Sequence, residues 1–298
     1  MAGCVFAEEE ARLLLAAGGS AAELQTLLDR RIGGEPLEHV LGWVEFAGLR
    51  ITLEPGVFVP RRRSAVLAAE AVALARTALA RRTRPASPAR RSAGERPGAV
   101  PVEAVPVEAV AVEVPAVEAV PVDVVAVDLC CGSGAIGAVM LDAIDGLELY
   151  AVDVDRVAVR CAEHNLAVRG GRVYEGDLFE PLPSELRGRV DVAVANAPYV
   201  PSDAIMLMPP EARLHEPRHA LDGGRDGLGT LRRLVAAAPG WLAPGGHVLF
   251  EASDEQAPAA MAALTAAGLS PSMINRPDHD ATVVVGTKTR SGQPEKPL

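Results

Sequence analysis

The sequence predicts an α/β fold with a seven-stranded, mostly parallel β-sheet, on three observations. From residue 122 onwards, short apolar segments alternate with helical segments. Several of these segments are almost continuously apolar, which is typical of parallel strands covered by helices on both faces. Polar side chains stand at or just after the ends of four of them: Asp128, Asp153, Asp177 and Asn196. Because ligands bind beyond the carboxyl ends of such strands, we expect these four to share one crevice.

The composition excludes several classes of protein. The chain has 298 residues, 49% hydrophobic and 23% charged, so it can bury a sizeable core. A net charge of -10 disfavours direct binding of nucleic acid through its phosphates. The four cysteines are too few for a disulfide framework, and their spacing is not that of metal ligands. No apolar run spans a membrane, and Glu8–Glu10 stand where a signal peptide is basic or apolar. We therefore expect a cytoplasmic monomer without a metal.

The first 60 residues predict helices followed by a β-hairpin. Ser20 is placed to cap the second helix, and Ala47-Gly48 separates two strand-like segments. Residues 61–80 predict a connecting helix that is rich in alanine, leucine and valine.

A change of composition marks residues 81–121 as a low-complexity insertion. Six arginines lie within 81–96, and a five-residue unit repeats over 101–125. A period of five matches neither a strand nor a helix, so no face stays apolar and we expect a mobile segment. The alternative is that this basic segment beside an acidic one binds a partner. We expect residues 289–298 to form a flexible tail.

Residues 122–288 predict one domain. Its strands are expected at 124–127, 147–152, 172–175, 191–195, 247–251, 272–275 and 281–286. Its helices are expected at 135–143, 156–168, 228–238 and 254–267.

A glycine-containing turn, residues 128–134, follows the first of these strands. Gly132 and Gly134 allow the backbone to approach a ligand closely, although tight turns of this kind are common without one. The acidic Asp153, about twenty residues further on, suits the hydroxyls of a ribose. No basic residue accompanies the turn, so nothing indicates a pyrophosphate.

The segment Asn196-Ala197-Pro198-Tyr199 follows the fourth strand. The side-chain oxygen of Asn196 can accept an N–H from a bound amide or amine, and Tyr199 can pack against a planar group. The same residues also suit a simple β-turn. Their position beside the three acids favours a binding role.

Together these motifs resemble the HemK/PrmC-type protein-(glutamine-N5) methyltransferases. These are class I enzymes that use S-adenosyl-L-methionine to methylate a glutamine side chain of peptide-chain release factors. The resemblance covers roughly residues 35–80 and 122–286. The matching stretches are 35–42, 56–61, 128–134, 196–199 and 216–228.

The resemblance implies a Rossmann-like methyltransferase sheet, with residues 1–60 recognising the release factor. Asp153 is expected to bind the ribose of the cofactor, and Asp177 with Leu178 to border its adenine. The residues implied as cofactor-binding are Cys130, Cys131, Gly132, Ser133, Gly134, Asp153, Asp177, Leu178 and Asn196. Those implied as catalytic are Asn196, Pro198 and Tyr199.

Three departures from the family pattern stand out. Ala197 replaces a proline, Arg62-Arg63-Ser64 stand where the family usually has proline, an acid and threonine, and the N-terminal helical region is much shorter than the family's. One alternative function is methylation of the adenine amino group in DNA or RNA, because related Asn/Asp-Pro-Pro-aromatic sites act on exocyclic amines, and it requires a flipped base. The other is a non-catalytic binding module that recruits a partner through residues 81–125.

Overall fold

The computed structural model describes residues 7–83 and 124–290. The predicted insertion therefore lies outside the described residues except at 81–83, and the predicted tail lies outside them except at 289–290. Within the described ranges, no helix has both the length and the apolar character needed to cross a membrane.

Ten α-helices and nine β-strands are formed by the described residues. The helices are α1 Ala7–Ala17, α2 Ala21–Ile32, α3 Leu37–Leu41, α4 Ser64–Thr83, α5 Ala135–Ala143, α6 Arg156–Leu166, α7 Pro210–His215, α8 Arg218–Leu221, α9 Gly229–Trp241 and α10 Ala257–Ala266. The strands are β1 Trp43–Phe46, β2 Leu49–Thr52, β3 Val124–Leu129, β4 Leu147–Asp153, β5 Arg172–Glu175, β6 Val190–Ala195, β7 Leu242–Glu251, β8 Ser270–Arg276 and β9 Ala281–Thr287.

The main sheet confirms the predicted fold class. Its seven strands lie in the order β5-β4-β3-β6-β7-β9-β8, while β1 and β2 form a separate antiparallel hairpin. Strands β3 to β7 pair in parallel, and β9 runs antiparallel to both β7 and β8. The chain moves outward from β3 to β5 and then returns to β6 on the other side of β3. The carboxyl ends of β3 and β6 thus flank the point at which ligands bind in such sheets.

The secondary structure differs from the expectation at a few places. Strand β7 begins at Leu242 rather than at residue 247, and its pairing with β6 shifts between Val190 and Val192. A Cβ on Gly246 would lie 2.6 Å from the carbonyl oxygen of Val190, so a side chain at this position would collide with the backbone of β6. Helices α3, α7 and α8 have four to six residues, too few to produce a helical period in the sequence.

Helix α4 covers the central strands on one face of the sheet. Its Leu67, Ala71 and Ala75 are fully buried, in one cluster with Ala126 of β3 and Val192 of β6. On the opposite face, α9 and α10 pack over the sheet. Small alanine side chains allow α4 to lie close to the sheet, which brings its first residue, Ser64, to the carboxyl edge of β6.

Candidate active site

A cavity of about 1030 Å³, including the space at its mouth, opens at the carboxyl edge of the sheet between β3, β4 and β6. Nine of the eleven residues predicted for the site line it: Cys130, Cys131, Gly132, Ser133, Asp153, Asp177, Leu178, Asn196 and Pro198. Gly134 and Tyr199 are absent from this lining. Residues that sequence reasoning missed also contribute: Phe46, Phe58, Pro60, Ser64, His219, Thr230 and Arg233 among others.

The turn after β3 exposes its backbone to the cavity at Gly132. Gly132 has φ +55°, and a Cβ built there would meet no atom within 4 Å. Gly134 differs, because its Cβ would lie 2.9 Å from Cδ1 of Leu166 on α6. Gly132 thus leaves room for a ligand, whereas Gly134 lets the turn pack against a helix.

Asp153, the last residue of β4, is held by backbone donors. Its Oδ2 accepts the N–H of Gly132 at 2.9 Å, and its Oδ1 accepts the N–H of Asp155 at 2.9 Å. Burial raises the pKa of Asp153, while these two hydrogen bonds act in the opposite direction. Each oxygen keeps a second lone pair, so the carboxylate can still accept hydrogen bonds from ligand hydroxyls.

Asp128 does not share the cavity, contrary to the expectation from the strand ends. It is 1% exposed, and its Oδ2 accepts the N–H of Gly137 on α5 at 2.9 Å. Its Oδ1 has no hydrogen-bond partner among the described residues. Strand β3 continues to Leu129, so Asp128 lies beneath the turn and supports the start of α5.

Buried Asp128 predicts a pH-dependent stability. Burial raises the pKa of Asp128 to about 7 in spite of the Gly137 hydrogen bond. An acid with a raised pKa in the folded state loses its stabilising contribution as the pH rises through that pKa, here by up to roughly 4 kcal/mol. Between about pH 4 and 7 we expect the free energy of unfolding of the wild type, measured by urea denaturation, to fall as the pH rises. In Asp128→Asn we expect a smaller fall over the same range. An unchanged slope in the variant would contradict this assignment.

Asp177 and Leu178 border the cavity beyond β5. The Asp177 carboxylate accepts a hydrogen bond from Nη2 of Arg233 on α9. Leu178 is buried with φ +50°, a backbone region that is costly for a leucine. The sequence around Arg233 does not indicate its contact with Asp177, because the two residues are 56 positions apart.

Asn196 follows β6 and is held by Ser64. Its Nδ2 donates to the Ser64 Oγ at 3.1 Å, and in the described part of the chain its Oδ1 makes no hydrogen bond. Ser64 is 1% exposed at the beginning of α4. In this orientation the amide oxygen of Asn196 is available to accept a hydrogen bond from a ligand.

Tyr199 lies apart from Asn196, beside a second cavity. Its hydroxyl accepts a hydrogen bond from Nη2 of Arg63 at 2.7 Å, and its carbonyl accepts one from Nε2 of Gln256 at 2.8 Å. Burial raises the pKa of Tyr199, and the nearby Glu251 carboxyl adds to this, whereas Arg63 lowers it. The four-residue segment therefore divides between two cavities.

An ion pair joins two of the segments that frame the main cavity. Nη2 of Arg61 lies 2.5 and 2.6 Å from the two carboxylate oxygens of Glu216, whose side chain is fully buried. Burial raises the pKa of Glu216 to about 7, although the Arg61 guanidinium opposes this. The ion pair ties the segment bearing Phe58 and Pro60 to the loop that follows the Asn196 motif.

Comparisons with known proteins place this geometry in context. Residues 116–265 match the family model described as the methyltransferase small domain. A release factor glutamine methyltransferase of Geobacter sulfurreducens is 32% identical over 238 residues, which cover 79% of this chain and 67% of that protein. The 4-amino-L-phenylalanine/4-methylamino-L-phenylalanine methyltransferase of Streptomyces pristinaespiralis is 29% identical over 239 residues, covering 80% and 68% of the two chains. A crystal structure of ribosomal protein L11 methylase from Lactobacillus delbrueckii subsp. bulgaricus superposes with a TM-score of 0.46 and 14% identity, over 80% of this chain and 86% of that one.

Proposed function

Because the chain belongs to the release factor glutamine methyltransferase family, we propose that it methylates the side-chain nitrogen of a glutamine in a peptide-chain release factor. S-adenosyl-L-methionine is the proposed methyl donor. The observation that carries the proposal is Asn196, which lines the cavity together with Gly132 and Asp153 and whose amide oxygen accepts no hydrogen bond from the described residues.

The residues around the turn after β3 fit this donor. The open space at Gly132 admits a ligand against the backbone, and the Asp153 carboxylate has lone pairs for the ribose hydroxyls. Leu178 and Asp177 are proposed to border the adenine. When bound, S-adenosylmethionine supplies an electrophilic methyl group, and the residues of this chain provide its orientation.

Asn196 is proposed to position the acceptor nitrogen. An amide nitrogen is a poor nucleophile because its lone pair is delocalised into the carbonyl. A hydrogen bond from the amide N–H to Oδ1 of Asn196 fixes the direction of that lone pair, and holding the reacting atoms about 3–3.5 Å apart supplies much of the rate enhancement. The same oxygen stabilises the positive charge that develops on the nitrogen. The nitrogen then gives its extra proton to a water molecule, which leaves the neutral methylated amide.

The N-terminal hairpin is proposed to take part in recognising the release factor. Phe46 of β1 and Phe58, which follows the hairpin, both line the main cavity. A protein segment entering the cavity therefore meets these aromatic side chains close to Asn196.

The proposal is tested by offering the protein three acceptors with methyl-labelled S-adenosylmethionine. These are a purified release factor, an adenine-containing oligonucleotide and 4-amino-L-phenylalanine. We expect label in the release factor alone, and none when its acceptor glutamine is replaced by asparagine. Label in the oligonucleotide would support the adenine alternative instead. Absence of both labelling and cofactor binding would support a non-catalytic module.

A further inference from the structure

Glu251 is a buried carboxylate to which the proposed reaction gives no role. It is the last residue of β7 and is 4% exposed. Neither of its carboxylate oxygens is open to solvent or accepts a hydrogen bond of ordinary geometry from the described residues. A buried carboxylate without a donor is costly, so a nearby group that can turn a proton towards it gains a strong acceptor.

The pairing of β6 with β7 places Glu251 beside Asn196. Ala195 pairs with Phe250, so Asn196 and Glu251 are the next residues of two neighbouring strands that run in the same direction. Ala195 and Phe250 belong to the core on the side of α9 and α10. Because side chains alternate between the faces of a sheet, Asn196 and Glu251 both point to the opposite side, which α4 covers. They therefore meet at Ser64, the first residue of α4.

The hydrogen bonds of these three side chains have a preferred direction. The Ser64 Oγ accepts from Nδ2 of Asn196 at 3.1 Å, so its own proton remains to be donated elsewhere. Burial raises the pKa of Glu251, whereas the Ser64 hydroxyl and the Arg63 guanidinium lower it and so favour the ionised form. An ionised carboxylate only accepts, so it draws the Ser64 proton to itself and leaves a lone pair of Oγ facing the Asn196 amide.

Resting on the proposed function, we propose that Glu251 is a positioning residue for methyl transfer, which acts on Asn196 through Ser64. Ser64 and Asn196 line the main cavity, whereas Glu251 lines the second one. By holding the Ser64 proton, Glu251 keeps Nδ2 of Asn196 on Ser64 and Oδ1 available to the acceptor nitrogen. Without Glu251, the hydroxyl can donate to Oδ1 and the amide can turn over. The Asn196 NH2 then faces the NH2 of the acceptor, and neither group accepts a hydrogen bond.

Replacement of the oxygen atoms at position 251 tests this role by kinetics. Glu251→Met has a similar length but no oxygen, and we expect kcat to fall about fivefold to tenfold, as for the loss of one hydrogen bond, with KM and cofactor affinity nearly unchanged. Glu251→Gln keeps a carbonyl oxygen that accepts from Ser64, so its kcat should stay within about twofold of the wild type. Glu255→Gln, which changes an exposed carboxylate of the same cavity, is the matched control. An unchanged kcat in Glu251→Met, or an equal loss in Glu251→Gln, overturns the proposal.

Combination with Ser64→Ala separates an action through Ser64 from any other role of Glu251. If Glu251 acts through the hydroxyl, the double variant Ser64→Ala/Glu251→Met has the kcat of Ser64→Ala within about twofold. A direct effect on the substrate, or a loss of packing, lowers kcat by the same factor with and without the hydroxyl. Additive losses in the double variant therefore overturn the proposal.

A titration of the free protein tests the contact without methylation. The carboxyl pKa of Glu251 is measured by carbon-13 NMR in the wild type and in Ser64→Ala. We expect a higher pKa in Ser64→Ala, because the carboxylate loses a hydrogen bond while Arg63 and Tyr199 still face it. An unchanged or lower pKa overturns the proposal, and this measurement stands even if Glu251→Met does not fold. A wild type that methylates no release factor contradicts the proposed function, and the titration still decides whether Ser64 donates to Glu251.

Discussion

Replacement of Asn196 by alanine is expected to lower kcat for glutamine methylation by about 10²–10³-fold, the usual effect of removing one preorganised polar group from a transition state. The variant loses the oxygen that orients the acceptor nitrogen. It keeps the turn at Gly132 and the Asp153 carboxylate, so the affinity for S-adenosylmethionine should remain nearly unchanged. Calorimetry of cofactor binding and single-turnover transfer of labelled methyl groups separate the two effects.

Two further variants sharpen the Asn196 experiment. Ser64→Ala removes the hydroxyl that accepts from Nδ2 of Asn196, so the amide keeps its oxygen but loses its fixed orientation. We expect a smaller loss, about tenfold in kcat, in line with the loss of one neutral hydrogen bond. Gln25→Ala removes an exposed side-chain amide on α2 and should behave as the wild type. Wild-type turnover in Asn196→Ala would exclude Asn196 from acceptor positioning.

The meeting of several strand ends at one edge of the sheet could be anticipated, because parallel strands impose a register on distant residues. Leu129 at the end of β3 pairs with Ala195 at the end of β6, so the turn after β3 and the Asn196 motif necessarily begin at the same level of the sheet. Strand β4 pairs with β3 in the same way, which brings Asp153 to the turn. These placements follow from the apolar pattern and from the direction of the strands, and both can be predicted from the local sequence.

The partners of the site side chains were not predictable, because they depend on helix packing over long separations. Asn196 and Ser64 are 132 residues apart, and Arg63 and Tyr199 are 136 apart. Nothing in the local pattern indicates that the start of α4 reaches the end of β6. That contact follows from the alanine-rich face by which α4 packs on the sheet.

Two glycines of the turn after β3 also show that the local sequence does not predict which residues a position will contact. Gly132 and Gly134 are equivalent in the sequence pattern, and both have positive φ angles. The difference between them is set by Leu166 on α6, which occupies the space beside Gly134 and leaves the space beside Gly132 open. A motif therefore predicts where a backbone approaches something, but tertiary packing decides whether that is a ligand or a helix.

Gly132→Ala is expected to weaken S-adenosylmethionine binding by roughly tenfold to a hundredfold, since forcing a methyl group into an occupied close contact costs about 1–3 kcal/mol. In the free protein the new Cβ meets no atom within 4 Å, so the chain still folds and bears only the strain of an alanine at φ +55°. That strain costs about 1–2 kcal/mol. Calorimetry measures the affinity, and thermal unfolding measures the strain.

Gly170→Ala is the matched control for this experiment. Gly170 also has a positive φ, +83°, and a Cβ there also meets no atom within 4 Å, but the residue lines neither cavity. Both variants should therefore lose similar stability, and only Gly132→Ala should lose cofactor affinity. Since backbone strain is common to the two, a difference in affinity reports the steric effect of the new methyl group in the main cavity. If both variants bind S-adenosylmethionine with equal affinity, the methyl donor does not bind at the turn after β3. The acceptor site proposed at Asn196 would then be wrong as well.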